Sequence, residues 1–295
     1  MAMLSVNFIG CGKLGVTLAS LFKKHKALKI AGIVNTQLAS AEAAAKKIGQ
    51  GKAYADIASL KPADITIIAT QDDAITGVVN ALATTHAFKE NAVVLHCSGA
   101  LTSDALAILR DKNVAVASVH PVRSFATIET AIAEFKGTFC SMEGDALAKT
   151  TLTPLFEKIG GIVFELDKKL KPRYHAASVI ANNYSTTLHY HATLAYVESG
   201  IEPALAKQLA STLMQQGLNN LEANDHENAL TGPLQRNDQQ TITSHFQTLA
   251  KLPALQMTKA LYAALLLATL PITPHDETTR KEWVNKVFSI PEVTF

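Results

Sequence analysis

Six residues, Gly10-Cys11-Gly12-Lys13-Leu14-Gly15, restrict the fold more than any other stretch of the chain. They follow an apolar run, residues 4–9, that reads as a β-strand. They also open a segment whose Leu14, Leu18, Leu21 and Phe22 share one helical face. A Gly-x-Gly-x-x-Gly hexapeptide alone occurs often by chance. Set between a strand and an amphipathic helix, it is the arrangement in which N–H groups at a helix amino terminus receive a pyrophosphate. Gly10 then permits the tight turn, Gly12 the close approach of a phosphate and Gly15 close helix–strand packing. Cys11, Lys13 and Leu14 supply the intervening amides. The competing reading is a strand–helix turn that binds nothing.

Further strand-like runs at residues 29–34, 65–70, 93–96, 114–119, 138–141 and 162–166 alternate with helical ones, the pattern of βαβ units and a mostly parallel, doubly wound sheet. At Asp167-Lys168-Lys169-Leu170-Lys171-Pro172 the strand pattern stops. The reading is an α/β domain over residues 1–167 and an all-helical domain over 168–295, with helices at 173–199, 203–223, 238–252, 257–270 and 277–288. The first is long against a mean of about 11–12 residues. Its Val179, Ile180, Leu188, Leu194 and Val197 predict a well-buried helix at the spine of an interface. Composition agrees: 18% charged residues fall below the roughly 25% of ordinary soluble domains, and the mean hydropathy is +0.14. A homodimer formed through the helical half is expected.

The charge balance, 27 basic against 25 acidic residues, leaves +2 and no long basic run, so nucleic-acid binding is not expected. Three scattered cysteines, without a C-x-x-C pair, point to a reducing compartment rather than a disulfide framework. No secretory signal pattern opens the sequence. The apolar stretch 261–270 is shorter than the ~20 residues of a bilayer span. The expectation is a cytoplasmic protein without a membrane partner.

Ligands of open α/β sheets bind beyond the carboxyl ends of the strands. The second strand ends in Val34-Asn35-Thr36-Gln37, without the carboxylate that holds a ribose in NAD-selective sites. Asn35 and Thr36 offer hydrogen bonds to a 2′-phosphate, so NADP is favoured over NAD, although Gln37 is not the arginine that often neutralises that phosphate. Thr70 closes the next strand, and Asp72 and Asp73 follow it as an N-cap or as backbone lining a nicotinamide pocket. Ser98 ends the strand after that, either as a ligand for a substrate carboxylate or as a turn serine serving local backbone. His120, before Pro121, is a candidate proton donor or anchor, or a structural histidine.

On the long helix His175, Ser178, Asn182, Ser185 and His189 recur at spacings of three and four and so form one polar face. Substrate, cofactor or the same stripe of a second subunit are its candidate partners. A metal is a weaker idea, because His189 and His191 point apart and no cysteine or carboxylate cluster completes a shell. In Leu230-Thr231-Gly232-Pro233-Leu234-Gln235-Arg236-Asn237-Asp238, Arg236 is a candidate carboxylate or phosphate clamp, with a salt bridge as the alternative. Asp238 reads as a helix cap.

The Gly10-to-Gly15 turn, Ser98-Gly99-Ala100, His120-Pro121, Tyr174-His175-Ala176-Ala177 with Asn182-Asn183-Tyr184, and Leu230-Thr231-Gly232-Pro233 with Arg236 and Asp238 occur in that order. Together they resemble the Rossmann-like proteins whose carboxyl-terminal helical half is a domain of unknown function, over nearly the whole chain. That family is similar in architecture to 6-phosphogluconate dehydrogenase, β-hydroxyacid dehydrogenase, pyrroline-5-carboxylate reductase and deazaflavin-dependent NADP oxidoreductases. The resemblance implies a dinucleotide domain followed by an all-helical dimerisation domain. β-Hydroxyacid dehydrogenases carry Lys-x-x-Asn-Asn, and aligning its asparagines with Asn182-Asn183 places Val179 at the lysine. His175 becomes the candidate acid or base and Asn182 the residue that orients substrate. The family's Arg-Gly-Asp reads Arg236-Asn237-Asp238, so a backbone geometry that needs glycine is expected to be relaxed.

The first functional expectation is an NADP-dependent oxidoreductase moving a hydride to or from a small carbonyl, imine or hydroxy acid. His175 or His120 would move the proton; Ser98, Asn182 and Arg236 would orient the substrate. The second is a dinucleotide-binding sensor or regulatory protein without chemistry.

Overall fold

The computed structural model describes residues 3–290, in two compact units that divide between Asn182 and Asn183. The first unit runs β1 (Ser5–Ile9), α1 (Lys13–Lys24), β2 (Lys29–Val34), α2 (Leu38–Ile48), β3 (Lys52–Tyr54), β4 (Ala63–Ile68), α3 (Asp72–Ala83) and β5 (Phe88–His96). A 3-10 helix, Ser103–Lys112, leads to β6 (Ala115–Pro121), α4 (Ile128–Ala133), β7 (Phe139–Gly144), α5 (Ala146–Lys158), β8 (Ile162–Glu165) and α6 (Lys171–Ser178). The sheet order is β3-β2-β1-β4-β5-β6-β7-β8. All pairs are parallel except β6 with β7.

Both faces of this sheet are covered, which a parallel sheet requires and which explains its nearly continuous apolar strands. Side chains alternate between the faces. Val6, Phe8, Ile65, Ile67, Val93 and Leu95 pack with Leu18, Phe22 and Phe156 on one side. Ile9, Ile68 and Val94 pack with Ile75, Val79, Leu82 and Leu106 on the other. Strand β3 is not expected from the pattern: it has three residues and lies at the sheet edge, too short to display alternation. The change from strands to helices comes near Asp167, whereas the change of packing partner comes at Asn182. Between them α6 remains with the sheet, because Lys171 and Tyr174 are held by side chains of β6.

The expected helix 173–199 is interrupted. A π-helical turn, Val179–Asn183, separates α6 from α7 (Tyr184–Glu198). Nor is it well buried: α7 has no buried residue, and Ile180, Tyr184 and Tyr190 are 63%, 55% and 60% exposed. Within one chain its apolar side chains lack enough neighbours to cover them.

The second unit continues with α8 (Pro203–Ala223), α9 (His226–Ala229), α10 (Gln239–Ala250), α11 (Gln256–Thr269) and α12 (Glu277–Phe288). Leu234, Ile242, Phe246, Ala263, Leu266, Trp283 and Val287 form its core. The apolar segment is longer than expected: helical structure over Pro253–Ile272 spans 20 residues with mean hydropathy 1.4, enough by length and composition to cross a bilayer. Here Ala263, Leu266 and Leu270 of that run are packed in the core.

Asn237 corrects one expectation. Its φ is +56°, so the left-handed geometry is retained, and asparagine is the residue besides glycine that tolerates it best. Its Oδ1 also accepts a hydrogen bond from Trp283 Nε1 at 2.9 Å. Asn237→Ala is expected to lower unfolding stability by about 2 kcal/mol, combining left-handed strain with a lost hydrogen bond. Asn237→Gly should lose only about 1 kcal/mol, and urea denaturation of the two variants will separate these terms.

Candidate functional site

A cleft of about 970 Å³ opens beyond β1, β2 and β4, where the strand order reverses. Gly10, Cys11, Gly12, Asn35, Thr36, Ser40, Thr70 and Gln71 line it, together with the loop 55–58 after β3. The three glycines differ physically. Gly10 has φ +87°, and a Cβ there would lie 2.6 Å from Thr70 Cγ2. A Cβ on Gly15 would lie 2.6 Å from the Gly10 carbonyl oxygen, so turn, helix and β4 can meet only without side chains. A Cβ on Gly12 would meet nothing within 4 Å, because this glycine faces open space.

The first intrahelical bond of α1 runs from Val16 N–H to the Gly12 carbonyl at 2.9 Å. The amides of Lys13, Leu14 and Gly15 precede it, and Gly12 provides no side-chain cap. No acidic residue occupies this first turn. Asn35 Oδ1 accepts the Cys11 N–H at 2.6 Å, tying the end of β2 to the glycine turn. Thr70 Oγ1 is buried without a hydrogen-bond partner. Open amides, free space before Gly12 and an orphaned hydroxyl on the cleft wall fit a phosphate-bearing dinucleotide.

Next to Gln71 of the cleft wall begins a second group of polar residues. Gln71, not Asp72, is the N-cap of α3, which leaves Asp72 free of the capping role. Its Oδ2 accepts instead from the buried Ser98 hydroxyl at 2.7 Å. Ser98 Oγ also accepts from the amides of Ala100 at 3.1 Å and Leu101 at 2.9 Å, filling its hydrogen-bonding capacity. Next comes Gly99. A Cβ at this position would lie 2.5 Å from His175 Cδ2 and 2.9 Å from His120 Nε2. Only glycine lets both imidazoles close on the backbone here.

The ring centroids of His120 and His175 are 6.0 Å apart. His120 Nδ1 lies 2.9 Å from the Tyr174 phenol oxygen. Burial, then the neighbouring His175 and Lys171, push the His120 pKa down to about 4, against a smaller opposing effect of Asp72. Burial pushes the Tyr174 phenol up, so it stays protonated. With the phenol as donor to Nδ1, the proton of the neutral imidazole sits on Nε2, the nitrogen beside Gly99. In that arrangement the pair is uncharged and its one free donor is the Nε2 proton at the end of β6.

The regular spacing of the polar stripe is broken, because a π-helical turn, with its wider i→i+5 bonding, interrupts the run at Val179–Asn183. His175 and Ser178 belong to α6, Asn182 is exposed in the π turn, and His189 on α7 meets Ser211 Oγ of α8 at 2.9 Å. His191 meets Thr258 Oγ1 at 2.9 Å. Arg236 belongs to the second unit, where it is exposed, and Asp238 caps α10 by accepting the Thr241 N–H at 3.0 Å. Among the described residues no group of three or more His, Cys, Asp or Glu side chains is arranged to hold a metal. Burial pushes the thiols of Cys11, Cys97 and Cys140 up to about 12.

Lys171, Glu143 and Ser118 are not expected at the site from the sequence. They form a buried cluster below Ser98, in which Lys171 Nζ contacts Ser118 Oγ and lies 3.5 Å from Glu143 Oε1. Glu143 is a lone charge in the apolar run Phe139–Gly144, the one sequence signal that could have drawn attention to it.

Residues 1–121 match the Rossmann-like domain family, and residues 138–269 match the family described as a domain of unknown function, DUF2520. No curated protein matches the chain. Among solved structures, a protein from Bacteroides fragilis designated an NADP oxidoreductase is 19% identical, with TM-score 0.73, 90% of this chain and 97% of that chain covered. Protein TM1727 from Thermotoga maritima is 28% identical, with TM-score 0.70 and the same 90% and 97% coverage. An imine reductase from Myxococcus stipitatus in complex with NADP+ is 14% identical, with TM-score 0.63, 96% of this chain and 94% of that chain covered. The chain thus joins an amino-terminal Rossmann-like domain to a DUF2520 domain.

Proposed function

We propose that this protein is an NADP-dependent oxidoreductase acting on a small carbonyl, imine or hydroxy-acid substrate. The observation that carries the reading is the continuity of the first unit's polar edge. The dinucleotide-sized cleft is lined as far as Gln71; the next residue, Asp72, is bonded to Ser98, and Gly99 beside it packs against His120 and His175. The NADP+ held by the Myxococcus stipitatus imine reductase supports the cofactor class. When bound, the nicotinamide supplies or accepts the hydride.

In this reading the amides of Lys13, Leu14 and Gly15 receive the pyrophosphate, with Gly10, Cys11 and Gly12 shaping the turn and Thr70 closing the wall. Asn35 and Thr36 take the adenosine ribose, and the lack of a carboxylate after β2 favours NADP over NAD. Neutral His120 donates from Nε2 to the substrate oxygen or nitrogen and polarises it, as an uncharged imidazole can. Tyr174 fixes that tautomer. His175 moves the proton and Asn182 orients the substrate, while Ser98 and Asp72 hold the floor beneath it.

The exposed apolar side chains of the α7–α8 pair, among them Tyr184, Tyr190, Leu205, Leu213 and Leu218, support a homodimer through the helical half. Sedimentation equilibrium is expected to give twice the 31.6 kDa chain mass. Leu213→Glu should halve it, and a wild-type monomer would remove the dimer from the proposal.

Gly12→Ala should raise the NADPH Kd at least tenfold, about 1.4 kcal/mol, because the methyl group takes the space of the phosphate. The same variant should change unfolding stability by only a few tenths of a kcal/mol to about 1 kcal/mol. Calorimetry and urea denaturation measure the two quantities. NADPH oxidation across ketoacids and cyclic imines tests turnover directly. His120→Asn and His175→Ala should each lower kcat by about 100-fold or more with little change in NADPH Kd. Because His120 stays neutral until about pH 4, any change in kcat caused by its protonation should fall near that pH and not near the ordinary histidine value of about 6.5. Tight NADPH binding without turnover on any substrate would leave the sensor reading in place of the enzyme.

A further inference from the structure

Lys171 opens α6 with a side chain only 1% exposed, opposite Glu143 at 5%. A buried ammonium is strongly unfavourable unless a carboxylate and further acceptors surround it. Both are present. Lys171 Nζ lies 3.5 Å from Glu143 Oε1 and donates to Ser118 Oγ. Glu143 in turn accepts from the Ser103 amide at 2.7 Å and the Ser103 hydroxyl at 2.6 Å.

Proton directions follow from these contacts. Since Ser118 Oγ accepts from the ammonium, its own proton goes to the Ser98 carbonyl at 3.3 Å or to His96 Nδ1 at 3.4 Å. His96 Nε2 faces an acceptor, the Thr102 carbonyl at 3.0 Å, so Nε2 carries the ring proton and Nδ1 accepts, also from the Ser98 amide at 3.2 Å. The backbone from Ser98 to Ser103 is therefore held at one end through Ser118 and at the other through Glu143. Gly99, against which both imidazoles close, lies between the two ties.

We infer that Lys171 is the positioning residue of this site: through Ser118 and Glu143 it clamps the 98–103 backbone that forms the floor beneath His120 and His175. The inference rests on reading that pair as the substrate end. Lys171 sits about two turns before Val179 on the same helical run, and at 1% exposure it acts through its neighbours. Its charge also bears on His120, which faces Tyr174, His175 and Lys171 from α6 and Asp72 from α3.

Amide hydrogen exchange and histidine NMR titration on the full chain test the clamp, in the wild type, Lys171→Met and the charge-free pair Lys171→Met/Glu143→Gln. Lys171→Met should speed exchange of the Ala100 and Leu101 amides at least tenfold relative to amides in β1, and should move the His120 midpoint upward. It should lower kcat at least tenfold while NADPH Kd stays within threefold. Where Lys171→Met fails to fold, the double variant carries the exchange measurement. Unchanged exchange at Ala100 and Leu101 in either folded variant would overturn the clamp. A wild type that binds NADPH but oxidises it with no substrate would overturn the catalytic reading alone, since exchange and titration still report on the clamp.

Discussion

Parallel strands end on the same side, and the rest of this protein is built on that constraint. β1, β2, β4, β5 and β6 deliver Gly10, Asn35, Thr70, Ser98 and His120 to one edge of the sheet. The chain must turn there five times in little space, under helices that cover both faces. Side chains are excluded where backbones cross, at Gly10 and Gly15, and polar groups accumulate where the ladder ends. A binding cleft is the geometric remainder of this crowding rather than a separate invention.

Electrostatics then sort the groups along the edge. At the cleft end the helix amino terminus is open and free of acidic neighbours, a field suited to phosphate. At the histidine end burial keeps His120 uncharged and Tyr174 protonated, so the two present dipoles rather than ions. The ion pair of Lys171 and Glu143 lies beneath, shielded from solvent. A buried pair of this kind seldom adds net stability against an apolar substitute. Here its partners are the backbone and hydroxyls of one loop, which makes geometry the quantity it controls.

Much of this is legible in the sequence because it depends on local pattern. The glycine turn, the strand ends and the apolar alternation all announce themselves within about ten residues. Features that depend on burial are not legible. Lys168 and Lys171 stand three positions apart in the same charged run, yet Lys168 meets Asp104 at the surface and Lys171 is enclosed. The π turn has no signature of its own in the residues 179–183. Asn237 shows the converse error: an unexpected residue type suggests a relaxed backbone, although asparagine can adopt the glycine geometry. The burial expected for the long helix fails for a related reason, since apolar periodicity reports the need for a partner and not whether the same chain supplies it.

The enclosure of the three thiols has a practical side. Across the neutral pH range Cys11, Cys97 and Cys140 remain un-ionised and shielded, so none competes as a nucleophile. The native sequence is therefore already suited to site-specific labelling. One cysteine introduced on an outward-facing position, such as Lys281 of α12, would take a maleimide fluorophore alone, and the labelled protein could be followed without first stripping the natural residues away.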